Sequence, residues 1–254
     1  MELAYKVKGA GPAVLLIHGG AEDAGMLDAQ AEALVARGFR VIWYDRRGTG
    51  GSTRAHWPGG GADQHADDAA ELLRALGAEG ATVLGFSSGG VVALALAARH
   101  PEVASAVIAW EPAALGVLPG AAGLHAGLVA PIDAHLAAHP ADWVGAFHVM
   151  LGVLSEGRAD LAAPEVRRME ANAEAVLRDD SPLLTTRSFA PGELPATGLI
   201  TVATSEAPNE LHAAVAATVA GLVGQEPVVV RGADDHEIYL SRPEILADWL
   251  GRQA

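Results

Sequence analysis

The stretch GFSSGGVVALALAARH sets two serines between glycines, after the apolar run ATVL and before a second apolar segment. Gly85 lies two residues before Ser87 and Gly89 two residues after it. In a strand-to-helix turn this G-x-S-x-G spacing fits a nucleophilic serine. So tight a turn strains the serine's backbone and lifts its hydroxyl clear of the sheet. Side chains at the flanking positions would collide across the turn, so both must be glycine. The turn also aims the next backbone N–H, that of Ser88, at the place where an oxyanion would form. Ser88 is excluded as the nucleophile because Phe86 stands two residues before it. A phosphate-cradling loop is the competing reading. No G-x-x-x-x-G-K-[ST] occurs, and GFSSGG lacks the G-x-G-x-x-G spacing.

Further motifs follow in order. HGG at His18 ends an apolar run, and DRRGTGGS begins at Asp45. DDHEIYLSRPEILADWL begins at Asp234, after the last apolar run. Together with GFSSGG, these make the sequence resemble the α/β-hydrolase family over nearly its whole length. The resemblance implies a mostly parallel central sheet flanked by helices, with a helical cap insertion. It implies an α/β-hydrolase core over 1–111 and 195–254 and the cap over 112–194. It implies a catalytic serine, Ser87, and His236 as general base, since serine is a poor nucleophile until an imidazole takes its proton. It places the second oxyanion donor at the N–H of Gly20, with open room above that glycine, and His18 as the residue that shapes this loop.

The triad acid departs from the family pattern. The usual place, after GLITVAT, falls on Ala207, with Glu206 one residue early. Glu111, at the end of AVIAWE, is the other candidate, because some members of the family carry their acid after that strand. Its tip belongs at the carboxyl edge of the sheet, where ligands bind. Glu111 is preferred and Glu206 is the alternative; a cap for the next helix is the structural reading of Glu111. Asp234 and Asp235 adjoin His236 too closely to face its ring, and Asp45 is expected to hold its own loop. His56, His65, His100 and His212 read as solvated. His135 and His139 have the four-residue spacing of metal ligands, but no carboxylate stands at a matching offset, so they read as an exposed pair. No metal and no cofactor is expected.

Elements must hold these residues in place. AVLLIHG, FRVIWYD, ATVLGF, ASAVIAWE, GLITVAT and EPVVVRG are continuous apolar runs and read as buried strands. LAYKVKG alternates and reads as an edge strand. Helical patterns lie between them. SGGVVALALAARH is apolar nearly all round and reads as a buried helix that ends before Pro101. SRPEILADWLGRQ has Ser241 as a cap and Pro243 in its first turn. Residues 112–194 show no strand pattern. Trp143, Phe147 and Met150 are either walls of an acyl pocket or ordinary packing of the insertion.

The chain has 254 residues and a formal net charge of −14. That charge disfavours nucleic acid. Cysteine is absent, which excludes disulfides and thiolate chemistry and fits a reducing, cytoplasmic setting. No signal peptide or membrane span is legible. The resemblance implies a serine hydrolase that cleaves a small to medium carboxylic ester or lactone through an acyl-enzyme, acting as a monomer or homodimer. The same site also serves thioesterases, C–C hydrolases, cofactor-free peroxidases and lyases. Epoxide hydrolases and dehalogenases use aspartate where Ser87 stands. A non-catalytic ligand-binding protein is the alternative from another class.

Overall fold

A computed structural model describes residues 2–196 and 198–253. Seven strands form one sheet: β1 (Tyr5–Lys8), β2 (Ala13–Ile17), β3 (Arg40–Tyr44), β4 (Ala81–Phe86), β5 (Ala104–Trp110), β6 (Ile200–Thr204) and β7 (Val228–Val229). Their spatial order is β1-β3-β2-β4-β5-β6-β7. Only β1 runs antiparallel, against β3. The main helices are α1 (Asp28–Val35), α2 (Gly61–Ala75), α3 (Ser88–Arg99), α4 (Ala121–Ala138), α5 (Trp143–Leu154), α6 (Pro164–Met169), α7 (Ala173–Ala175), α8 (Glu210–Leu222), α9 (Ile238–Ser241) and α10 (Pro243–Gly251). A π-helical stretch covers Val176–Leu184. Among the described residues no helix is long and apolar enough to cross a membrane.

The continuous apolar runs are explained by helices on both faces of the sheet. In β2, Leu15 and Ile17 belong to one buried cluster with residues of α2, α3 and α8, while Val14 and Leu16 belong to another with residues of α1 and α10. Helix α3 is buried from Ser88 to Ala97 because it lies against the sheet under α2. Two expectations fail. EPVVVRG forms only a two-residue edge strand, with Val228 and Val229 exposed and Val230 buried, because β7 is the outermost strand of the sheet among the described residues. Ser241 closes α9 instead of capping α10, whose N-cap is Arg242.

The segment between β5 and β6 contains helices and no strand among the described residues. Its inner face forms a third apolar cluster, in which Phe147, Met169, Ala173 and Val176 pack on Ala21, just after β2. The π-helical stretch also contacts α2 and α3. This segment therefore rests on the same loops that leave the carboxyl ends of β2, β3 and β4.

The strand order reverses at β2. From β2 the chain moves outward to β3 and then crosses back to β4 on the other side. The loops after β2 and β4 therefore leave the sheet in opposite directions and open a crevice at its carboxyl edge. The chain places HGG on one side of that crevice and Ser87 on the other.

Candidate active site

Ser87 follows β4 with φ 51 and ψ −116, a conformation disfavoured for any residue with a side chain. The turn enforces it. A Cβ on Gly85 would run into the carbonyl of Gly89, and a Cβ on Gly89 into the carbonyls of Ile17 and His18. The elbow thus sits tightly against the end of β2. The Ser87 carbonyl accepts N–H bonds from Gly90 (2.9 Å) and Ala113 (3.1 Å).

Phe86 of β4 pairs with Trp110 of β5, so Ser87 and Glu111 leave the sheet side by side. Trp110 ties the neighbourhood together. Its carbonyl accepts from Ser87 N at 3.0 Å, and its indole N–H donates to the His236 carbonyl at 2.8 Å. Glu111 has a positive φ of 36 and is fully buried. Its Oε2 lies 2.7 Å from His236 Nδ1. Its Oε1 accepts from Ser205 N (2.8 Å) and Ser205 Oγ (2.5 Å). Burial pushes Glu111 up. The nearby imidazoles of His212 and His236, the His236 charge and the Ser205 hydroxyl outweigh it and hold the carboxyl well below the usual range. Glu206 is exposed, as are Asp234 and Asp235, so the structure brings Glu111 to His236 and not these three.

Across the crevice, His18 is buried and neutral: burial and the Arg46 charge hold its pKa well down. Arg46 N donates to His18 Nε2 at 3.0 Å, so the ring proton sits on Nδ1 and points at Gly19 O, 2.8 Å away. Glu22 Oε2 accepts from Gly19 N at 2.8 Å, and its Oε1 accepts from Tyr239 Oη at 2.6 Å. The space above Gly20 is not open. A Cβ there would lie 3.1 Å from Val176 Cγ2, a side chain contributed by the helical segment. Phe147 packs behind Val176, with Trp143 and Met150 at the margin of the same cluster.

A family model described as alpha/beta hydrolase fold matches residues 12–130. An α/β hydrolase from Sphaerobacter thermophilus superposes with a TM-score of 0.75 at 23% identity, over 98% of this chain and 95% of that one. The chain has the α/β-hydrolase fold, and residues 12–130 match that family's model. An uncharacterised hydrolase of Bacillus subtilis, YraK, is 42% identical over 117 residues, which are 46% of this chain and 43% of that protein. The bifunctional esterase/perhydrolase DCH of Acinetobacter calcoaceticus is 39% identical over 99 residues, 38% of this chain and 36% of that protein. The chain thus matches less than half the length of these curated relatives.

Within this α/β-hydrolase fold, two histidines read as solvated are not. His65 is buried, and its Nε2 lies 2.6 Å from Asp179 Oδ2. His212 stacks on His236, with ring centroids 4.2 Å apart and planes at 25°, and its Nδ1 lies 3.4 Å from Glu111 Oε2. Burial lowers the His212 pKa. Its place was encoded locally: Asn209 caps α8 by accepting from His212 N at 2.8 Å, which fixes His212 in the first turn beside the end of β6. First turns after sheet strands face the crevice, and that was the signal to follow. His135 Nε2 donates to Asp142 Oδ2 (2.9 Å), the cap of α5, and the His135 ring sits 4.9 Å from that of exposed His139. Asp45 does hold its loop, through Gly51 N at 2.7 Å, and also takes Ala24 N at 2.7 Å.

Glu111, His212 and His236 are the one group among the described residues whose spacing could hold a metal ion. Both ring Nδ1 atoms face Glu111 Oε2, His236 at 2.7 Å and His212 at 3.4 Å.

Proposed function

We propose that the chain is a cofactor-independent serine hydrolase acting on a small to medium carboxylic ester or lactone. Ser87 Oγ attacks the carbonyl carbon while His236 Nε2 takes its proton, and Glu111 holds the imidazole through Nδ1. The N–H groups of Gly20 and Ser88 stabilise the tetrahedral oxyanion. His236 returns the proton to the leaving alkoxide, which leaves an acyl group on Ser87. Water activated by the same histidine then releases the acid. Residues 112–194 act as a cap, and Val176, Phe147, Trp143 and Met150 line the acyl side. The hydrolases and esterases named among similar proteins agree with this reading.

The observation that carries it is the 2.7 Å contact between Glu111 Oε2 and His236 Nδ1 beside a strained serine elbow. A buried carboxylate kept ionised and bonded to an imidazole is costly to maintain as mere packing. Labelling by a fluorophosphonate, followed by intact mass, tests the reading without knowledge of the natural substrate. Wild type is expected to label at one site. Ser87→Ala is expected not to label, Glu111→Gln to label slowly, and Glu206→Gln to label like wild type. An unlabelled, folded wild type would overturn the reading in favour of ligand binding under the helical segment.

A further inference from the structure

Arg46 is a buried cation for which the reaction above has no role. Its side chain is 1% exposed. One nitrogen, Nη2, donates to Asp180 Oδ1 (2.7 Å) and Gly19 O (3.0 Å) and reaches Ser88 Oγ at 3.4 Å. These contacts touch Gly19, whose carbonyl belongs to the same peptide as the Gly20 N–H, and Ser88, whose own N–H would meet the oxyanion.

The peptide joining Gly19 to Gly20 is planar and trans, so its C=O and N–H point in opposite directions. The Gly19 carbonyl is drawn to the buried side by two donors, His18 Nδ1 and Arg46 Nη2. The Gly20 N–H is thereby turned to the other side, where Gly20 is partly exposed beside the Ser87 elbow. Donors on a carbonyl also polarise the peptide and strengthen its N–H as a donor. The backbone of Arg46 fixes the His18 tautomer, and its side chain pins the carbonyl that this tautomer addresses.

Asp180 lies on the π-helical stretch, whose first residue, Val176, stands over Gly20. The helical segment therefore supplies both the counter-charge that lets Arg46 stay buried and the side chain above the oxyanion donor.

We propose that Arg46 is a positioning residue of the oxyanion site: paired with Asp180, it orients and polarises the Gly19–Gly20 peptide, so that the site is complete only when the helical segment is docked. The inference rests on the serine-hydrolase reading.

The test separates this role from a structural ion pair. Arg46→Met alone would leave Asp180 buried and uncompensated. The decisive variant is therefore Arg46→Met with Asp180→Leu, which removes both charges, with Arg46→Lys as the conservative variant. Turnover of p-nitrophenyl acetate, labelling by the fluorophosphonate and thermal melting are measured on each. The double variant is expected to melt near wild type and to lose at least about tenfold in kcat, less than the roughly 100- to 1,000-fold cost of deleting an oxyanion donor. KM is expected to stay within about twofold, because an oxyanion contact acts on the transition state and not on substrate binding. Affinity for a boronic acid, which forms a tetrahedral anion on the serine, is expected to fall in parallel with kcat. Arg46→Lys is expected to lie between the two. A folded double variant with wild-type kcat and boronate affinity would overturn the role of Arg46. Failure of wild type to label would instead overturn the serine-hydrolase reading, and the inference with it.

Discussion

Glu111 and Glu22 stand on opposite sides of the crevice, both buried and both within reach of His236 electrostatically, yet their surroundings drive them apart. Glu111 meets two imidazoles, a hydroxyl and a backbone amide, and is held well below the ordinary carboxylate range. Glu22 has one amide and one phenol. Burial wins there and pushes it up to about 7, although the bonds from Tyr239 and Gly19 oppose the shift. The difference lies in the partners' charge. An imidazole can become a cation and stabilise an anion strongly, whereas a buried phenol cannot compensate lost hydration. Tyr239 is itself pushed well above its ordinary value by burial and by Glu22. One glutamate is thus held charged beside His236, and the other is pushed toward neutrality.

The comparison breaks most easily at Glu111. Glu111→Gln keeps the shape but loses the charge that holds His236, and kcat for p-nitrophenyl acetate is expected to fall on the order of 10⁴-fold. Glu206→Gln is expected to change kcat by less than about twofold, since Glu206 is exposed. Equal losses in the two variants would remove Glu111 from the site.

Glu22 gives the next effect, read as stability. The Glu22 carboxyl is pushed up to about 7 from an ordinary 4.5, so the native state keeps a proton that the unfolded chain has released. Wild-type stability should therefore fall as pH rises from about 4.5 to about 7 and level off above that. Glu22→Gln mimics the protonated form and has no such loss. Denaturant unfolding is expected to show the variant gaining on wild type between pH 5 and pH 8 by up to about 3 kcal/mol. Parallel pH curves would mean that Glu22 is not forced toward neutrality.

These two carboxylates also mark how far the sequence could be read. Ser87 and its flanking glycines were legible because the turn's sterics are local, and the collisions a Cβ would meet at Gly85 and Gly89 are the ones the spacing implies. The parallel sheet was legible from runs such as AVLLI and ASAVIAW, apart from β7, where an edge position leaves apolar residues exposed. Glu111 was legible only as one of two candidates, because the choice depends on Ser205 and His236, which lie 94 and 125 residues away. Glu22, His65 and Arg46 gave no signal of burial. Each becomes internal through a partner far along the chain: Tyr239, Asp179 and Asp180, respectively. The packing of the helical segment, which delivers two of those partners, follows no simple period, and its π-helical stretch has no sequence signature.

His212 sharpens the comparison at its smallest scale, because it is one of the partners that Glu22 lacks. It touches the site in two ways: a 4.2 Å stack on His236 and a 3.4 Å approach to Glu111. The second distance is at the outer margin of a hydrogen bond, and Glu111 already has closer donors, so the stack is the stronger tie. A stack fixes the plane of the His236 ring. His212→Phe keeps that surface, and kcat is expected to stay within about twofold of wild type. His212→Ala removes it and is expected to lower kcat about two- to tenfold, the range of an aromatic pair worth about 0.5–1.5 kcal/mol. The opposite ranking, with Phe as damaging as Ala, would show that the Nδ1 contact to Glu111 carries the effect.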